Sequence, residues 1–180
     1  ARIHQTIDAD TDMEQLCDAL MAGFSDELRW VDALPQIIHT DRYIFAHAGI
    51  KEEAHFGDDF REVLTYPHFL LHAPAFTRYV IVGHMPVSEY CHAIACFHPI
   101  IDERKHIISI DGGCVLKLDG QLNALIIPEE SSPDFSWTAY DGLPTARALD
   151  PQAPSEDSLN IRWGRNRVEV LERGPELSLC

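Results

Sequence analysis

Apolar positions in this chain follow two different rhythms, and the change between them falls near residue 36. Before it, Met13, Leu16, Ala19 and Leu20 recur at helical spacing behind the segment Thr11-Asp12-Met13-Glu14, which reads as a capping box. The pattern predicts a helix from about residue 11 to 22 that ends near Gly23, then a shorter helix capped by Ser25 and running through Trp30 and Val31. After the Leu34-Pro35 turn the apolar residues come instead in short runs. Ile37-Ile38, the stretch from Tyr43 to His47, the stretch from Tyr79 to Val82 and Ile107-Ile108-Ser109-Ile110 are too short for helices and rich in β-branched and aromatic residues.

Between these runs, residues 51–57 are polar and read as a loop. Asp58 to Leu64 suits a short helix, and Phe69-Leu70-Leu71 and Phe76 are expected to pack beneath the next strand. Val115 to Leu118 and Leu122 to Ile127 flank Asp119-Gly120, a two-residue hairpin signal, and Pro128 ends the second of them. Residues 129–158 are rich in Pro, Ser and Asp and read as an irregular excursion or linker. Asn160 to Trp163 and Arg167 to Leu171 look like a second hairpin around Gly164-Arg165-Asn166. Hairpins mixed with separated strands predict an α/β fold with a mixed sheet.

The balance of 14 Lys+Arg against 29 Asp+Glu gives a net charge of −15. That argues against a nucleic acid as partner, since a polyanion would be repelled. A small phosphate substrate stays open, because bound metal ions reverse a local potential. No run reaches transmembrane length, which predicts no membrane partner, and no leader segment is visible. Five cysteines scattered through apolar sequence suit reduced thiols and a cytoplasmic setting. Cys91-His92 and Cys96-x-His98 lack the spacing of a zinc finger, and loop packing is the favoured reading there.

Two of the strands carry candidate chemistry at their ends. Tyr43-Ile44-Phe45-Ala46 runs into His47-Ala48-Gly49, and Tyr79-Val80-Ile81-Val82 runs into Gly83-His84-Met85-Pro86. A buried strand that stops at a histidine places an imidazole at the carboxyl edge of its sheet, where open α/β sheets build their sites. A flanking glycine permits a sharp turn and close backbone approach. Two such strands can aim two imidazoles at one metal ion. On residue type alone, a histidine that merely bonds a turn backbone is the commoner case.

Together with Ile110-Asp111-Gly112-Gly113-Cys114 and the segment Gly120 to Leu125, these motifs resemble the C-terminal half of a calcineurin-like metallophosphoesterase. The resemblance is to the branch of bacterial phosphoprotein phosphatases and symmetric diadenosine tetraphosphatases. It spans roughly residues 40–128 in the family's order. It implies a layered, mixed-sheet α/β fold, with residues 1–128 as the C-terminal half of the domain, 129–158 as linker and 159–180 as a hairpin extension. It implies that His47 and His84 bind the same metal of a two-metal centre, with manganese the first choice and iron or zinc the alternatives. The activity implied is hydrolysis of a phosphomonoester, on phosphoserine/threonine protein or a nucleotide polyphosphate, by a metal-bridging hydroxide. The alternative is a non-catalytic regulatory or interaction module that keeps the fold.

The family's Gly-Asp-x-His-Gly, Gly-Asp-x-x-Asp-Arg-Gly and Gly-Asn-His-Glu motifs do not occur; the lone Gly57-Asp58 lacks the following histidine. The chain is therefore expected to be part of a longer polypeptide, packed against an N-terminal half that supplies neighbouring strands and the remaining ligands. No catalytic acid or base is assigned within it. Asp111 can orient a ligand histidine through its second ring N–H, or simply bond its own turn backbone; the two are evenly matched. Some family members place a phosphate-binding arginine between the two histidine motifs. Arg61 stands near that position, while Arg78 abuts the strand and is expected to be solvent-exposed. The other histidines, such as His39, His55, His68, His98 and His106, are expected to be surface or packing residues.

Overall fold

The computed structural model describes residues 7–56, 59–92, 95–143, 167, 169–175 and 178–179. The chain divides into two compact units, Ala1–Pro35 and Gln36–Cys180. In the first, α1 (Met13–Gly23) is followed directly by α2 (Ser25–Asp32). The N-cap of α1 is Asp12, whose carboxylate accepts from the Glu14 and Gln15 amides at 3.0 and 3.2 Å. The capping box expected on Thr11 does not form, because the Thr11 hydroxyl is turned back to Asp8. Ser25 does not cap α2 either; it is the first helical residue, and Phe24 precedes it without a side-chain cap.

The second unit is built on a five-stranded mixed sheet, with β1 (Ile37–His39), β2 (Tyr43–Ala46), β3 (Tyr79–Val82), β4 (Ile100–Asp102) and β5 (Ile107–Ser109). Its order is β1-β2-β3-β5-β4. The three central strands run parallel, and an antiparallel strand closes each side. All three parallel strands therefore deliver their last residues to the same edge. Strand β4 had no counterpart in the sequence reading; it forms a tight turn back through Glu103, Arg104 and Lys105.

Side chains alternate across the sheet, as the period-2 geometry of a strand requires. Ile44, Ala46, Val80, Val82 and Ile107 share one core with Phe69, Val63 and Phe76. The helices α3 (Phe60–Thr65) and α4 (Phe69–His72) supply that cover. Phe69 and Phe76 pack there as expected, whereas Leu71 is exposed. Tyr43, Ile81 and Ile108 face the other way, against Leu125, Ile127 and Phe135. The continuous apolar character of β2 and β3 follows from this double cover. Ile44, Val80, Ile107 and Ile108 are sealed from solvent by residues of the chain itself. No added strand is needed to bury them.

The second face is covered by β6 (Leu122–Ile126) and β7 (Ser136–Tyr140), an antiparallel pair in which Leu125 opposes Trp137. This corrects two expectations. Val115–Leu118 forms no strand, so the hairpin around Asp119-Gly120 is absent; the amides of Leu116 and Lys117 bond the Gly113 carbonyl instead. The stretch after residue 128 is not all irregular, because β7 lies within it. A two-stranded pair of β8 (Glu172–Arg173) and β9 (Ser178–Leu179) lies further on. Of the hairpin expected over 160–171, Asn160 to Trp163 and the turn fall outside the described residues. The described part of its return strand, Arg167 and Glu169–Leu171, is not β structure.

Candidate metal centre

His47 and His84 leave the carboxyl ends of β2 and β3, two neighbouring parallel strands in register. Their rings meet. His47 Nε2 lies 3.2 Å from His84 Nδ1, with ring centroids 5.0 Å apart and planes at 64°. Two nitrogens bound at 2.0–2.1 Å to one zinc-like ion would stand about 3.3 Å apart at the tetrahedral angle. The spacing therefore fits two ligands of a single ion. His47 is exposed and His84 half-buried, so the pair opens to solvent on one side.

The backbone that holds them is specific. The Gly83 amide donates to the His47 carbonyl at 2.8 Å, tying the two strand ends together. His84 itself carries the turn, at φ 67° in the left-handed region. That conformation is uncommon for any residue but glycine and is held only where neighbours over-determine it. The turn was expected to rest on Gly83, but a Cβ there would meet nothing closer than 3.7 Å. Of the two glycines beside the histidines, Gly49 is the one with a steric reason to be there, since a Cβ would come within 2.3 Å of the Phe69 ring.

Asp111 follows β5 and reaches the same edge. Its Oδ1 accepts from the Gly113 amide at 2.8 Å, the turn-bonding alternative, and no hydrogen bond joins it to either imidazole among the described residues. Its backbone carbonyl accepts from the Val87 amide at 2.8 Å, which fastens the His84 turn to the Asp111 turn. Burial lowers the His84 pKa first, and the neighbouring His47 lowers it further; the Asp111 charge opposes them. The net effect keeps His84 neutral, with a lone pair to offer, to lower pH than a free histidine.

No group of three or more His, Cys, Asp or Glu side chains is arranged to hold a metal among the described residues. Among the described residues, the chain thus presents two nitrogens for one ion and no donor set for a second. Arg61 sits on α3 with its guanidinium 5.2 Å from the Phe60 ring centroid. Arg78 is not solvent-exposed as expected. Glu53 pairs with its Nε at 3.6 Å, and its guanidinium lies over Phe56. Cys91 places its thiol on the Val87 and Cys96 carbonyls, each at 3.7 Å.

The chain matches no protein-family model, no curated protein and no solved structure.

One group the sequence reading passed over is the pair Glu89 and Lys117. Glu89 lies in the 3-10 turn Val87–Tyr90 just beyond His84, and its carboxylate is ion-paired with Lys117 from the loop after Asp111. Both side chains are largely buried. The signal was faint: an acid five residues after His84 and a lysine six residues after Asp111. Only the fold brings them together.

Proposed function

We propose that His47 and His84 are the histidine share of a metal centre, and that the chain is part of a metal-dependent phosphoesterase. The first statement is carried by one observation, the convergence of two imidazole nitrogens to 3.2 Å at the carboxyl edge of a parallel strand pair. The second rests on the order His-Ala-Gly, Gly-His-x-Pro and Ile-Asp-Gly-Gly-Cys, which is that of the calcineurin-like metallophosphoesterases. A bound divalent ion, manganese first and iron or zinc as alternatives, supplies a water of lowered pKa and polarises a phosphoryl oxygen. The protein's own part is to present His47 Nε2 and His84 Nδ1 to one ion, with burial favouring the neutral form of His84. The remaining donors come from another segment of the same protein. The substrate is a phosphomonoester on a phosphoprotein or a nucleotide polyphosphate.

A second reading is a module that keeps this architecture without turnover. It is favoured by the presence of only two convergent donors among the described residues. Calorimetric titration of the 180-residue chain with zinc and manganese tests the first reading. One ion per chain is expected, lost in His47→Ala and in His84→Ala. A chain that binds neither ion rules the metal centre out. With manganese and p-nitrophenyl phosphate, negligible turnover is expected from this chain alone. Robust turnover that vanishes in His84→Ala would show a complete site and overturn the idea of a shared one.

A further inference from the structure

The turn that carries His84 is strained and is fastened at both ends. On one side the Gly83 amide is held by His47; on the other the Val87 amide is held by Asp111. Beyond Val87, the chain makes a single 3-10 turn and buries Glu89 against Lys117. Lys117 is anchored in turn, its amide bonded to the Gly113 carbonyl at 2.8 Å. Its Cγ and the Pro86 ring both crowd the Gly113 Cα, where a Cβ would come within 2.9 and 3.4 Å of them. Gly113 is in the left-handed region at φ 72°.

We propose that Glu89 and Lys117 form a positioning clamp that holds the His84 turn against the Asp111 turn, and so sets the spacing of His84 from His47. The proposal rests on the metal reading for its purpose, but its geometry does not. A left-handed histidine relaxes toward ordinary backbone unless something opposes it. Two backbone hydrogen bonds flank His84 at Gly83 and Val87. The ion pair is the only contact between side chains of the two turns that joins opposite charges among the described residues. A buried pair is weak evidence of stability, since apolar residues of the same shape often serve as well. Positional specificity is the better reason for it here, because it links the loop after one motif to the loop after another.

The test uses the full chain with Glu89→Gln and Lys117→Met together, which removes both charges while keeping both shapes. Three readings are taken: thermal melting, cross-peaks between the His47 and His84 ring protons without metal, and zinc affinity. The clamp predicts near wild-type melting, loss of the inter-ring cross-peaks and a zinc affinity lower by roughly 10-fold, in the range that groups orienting metal ligands usually command. A folded double variant with intact cross-peaks and unchanged affinity overturns the clamp and leaves the metal reading standing. If the wild-type chain binds no zinc, the metal reading falls, and the cross-peaks still decide the clamp. Should the double variant not fold, the wild type serves alone. Coupling is reciprocal, so zinc must slow hydrogen exchange of the Lys117 ammonium. Unchanged exchange on saturation overturns the proposal.

Discussion

Two histidines stand in left-handed backbone at opposite edges of the same sheet, and their surroundings differ in kind. His106, at φ 54°, precedes β5 at the amino edge. Its Nδ1 bonds the Phe76 carbonyl at 2.8 Å, and its ring lies 4.9 Å from that of Tyr79. His84, at φ 67°, follows β3 at the carboxyl edge and has another imidazole as its ring partner. One nitrogen is committed to a backbone carbonyl. The other faces a second ring nitrogen at 3.2 Å, which donates or accepts according to its tautomer. The amino edge is also where a cavity of about 1030 Å³ opens beside Arg42, Arg78 and His106. Size alone would point there, yet its arginine at 78 is already engaged by Glu53. The difference separates a ring nitrogen held by a backbone carbonyl from one whose described partner is a second imidazole.

The comparison breaks most decisively on metal binding. His84→Ala and His47→Ala should each abolish detectable zinc affinity, whereas His106→Ala should leave it unchanged. An equal loss in His106→Ala would erase the distinction between the two edges.

Stability should move the other way. Losing the His106 ring leaves the Phe76 carbonyl without its partner and should cost about 1–3 kcal/mol. At His84, glycine removes a left-handed penalty of about 1–2 kcal/mol against an unfolded-state entropy cost of about 0.5–1 kcal/mol. His84→Gly should therefore be neutral or stabilise by up to roughly 1 kcal/mol in urea unfolding. A loss in His84→Gly as large as that in His106→Ala would mean that His84 is structural too.

The smallest effect concerns pH at the amino edge. Burial alone would push the Glu53 carboxyl up, but the Thr77 hydroxyl and the Arg78 and Thr77 amides, helped by the Arg78 charge, outweigh it and hold it below its ordinary value of 4.5. The folded pKa lies under the unfolded one, so the unfolded chain takes up the proton first. Glu53 then contributes stability in full above 4.5, and that contribution is lost as pH falls through the folded value. Glu53→Gln should flatten that stretch of the stability–pH curve in denaturant titrations, with little change near neutrality. A curve that keeps its slope would remove Glu53 from the account of this edge.

Hydrogen exchange sharpens the picture of the sheet between the two edges. Ile44, Val80 and Ile107 are sealed beneath α3 and α4 of the chain itself, so their amides should exchange slowly and together in a monomer. Rapid exchange there would mean that another segment is needed to close the core.

The local features of the candidate site were legible because they are written in short strings. A run of apolar residues ending in His-Ala-Gly or Gly-His-Met-Pro needs only strand geometry to place an imidazole at an edge. Where the sequence misled, local signals lost to long-range ones. Asp119-Gly120 is a good hairpin signal, but Gly112 is drawn to Gln121, just before β6, whose amide bonds the Gly112 carbonyl at 2.9 Å. A Cβ on Gly112 would fall 2.1 Å from the Gln121 carbonyl oxygen, so this contact defines the loop. Asn123 then pins β6 to the end of β5 through the Ile110 carbonyl and to the segment before β4 through the Phe97 carbonyl. Strand β7 was discernible in the alternation of Ser136-Trp137-Thr138-Ala139-Tyr140, but its surroundings of Pro, Ser and Asp hid it.

By itself the sequence determined the alternation of helical and extended segments, the double burial of β2 and β3, and the residue types at the strand ends. It could do so because each depends on neighbours a few positions away. Tertiary structure decided which strands lie side by side, that the His84 turn rather than Gly83 carries the left-handed backbone, that Asp111 bonds its own loop, and that Glu89 meets Lys117. Apart from the Asp111 bond to Gly113 two residues on, those outcomes depend on contacts between residues some 24 to 37 positions apart, and no local propensity encodes which of the sterically possible partners the packed core will bring together.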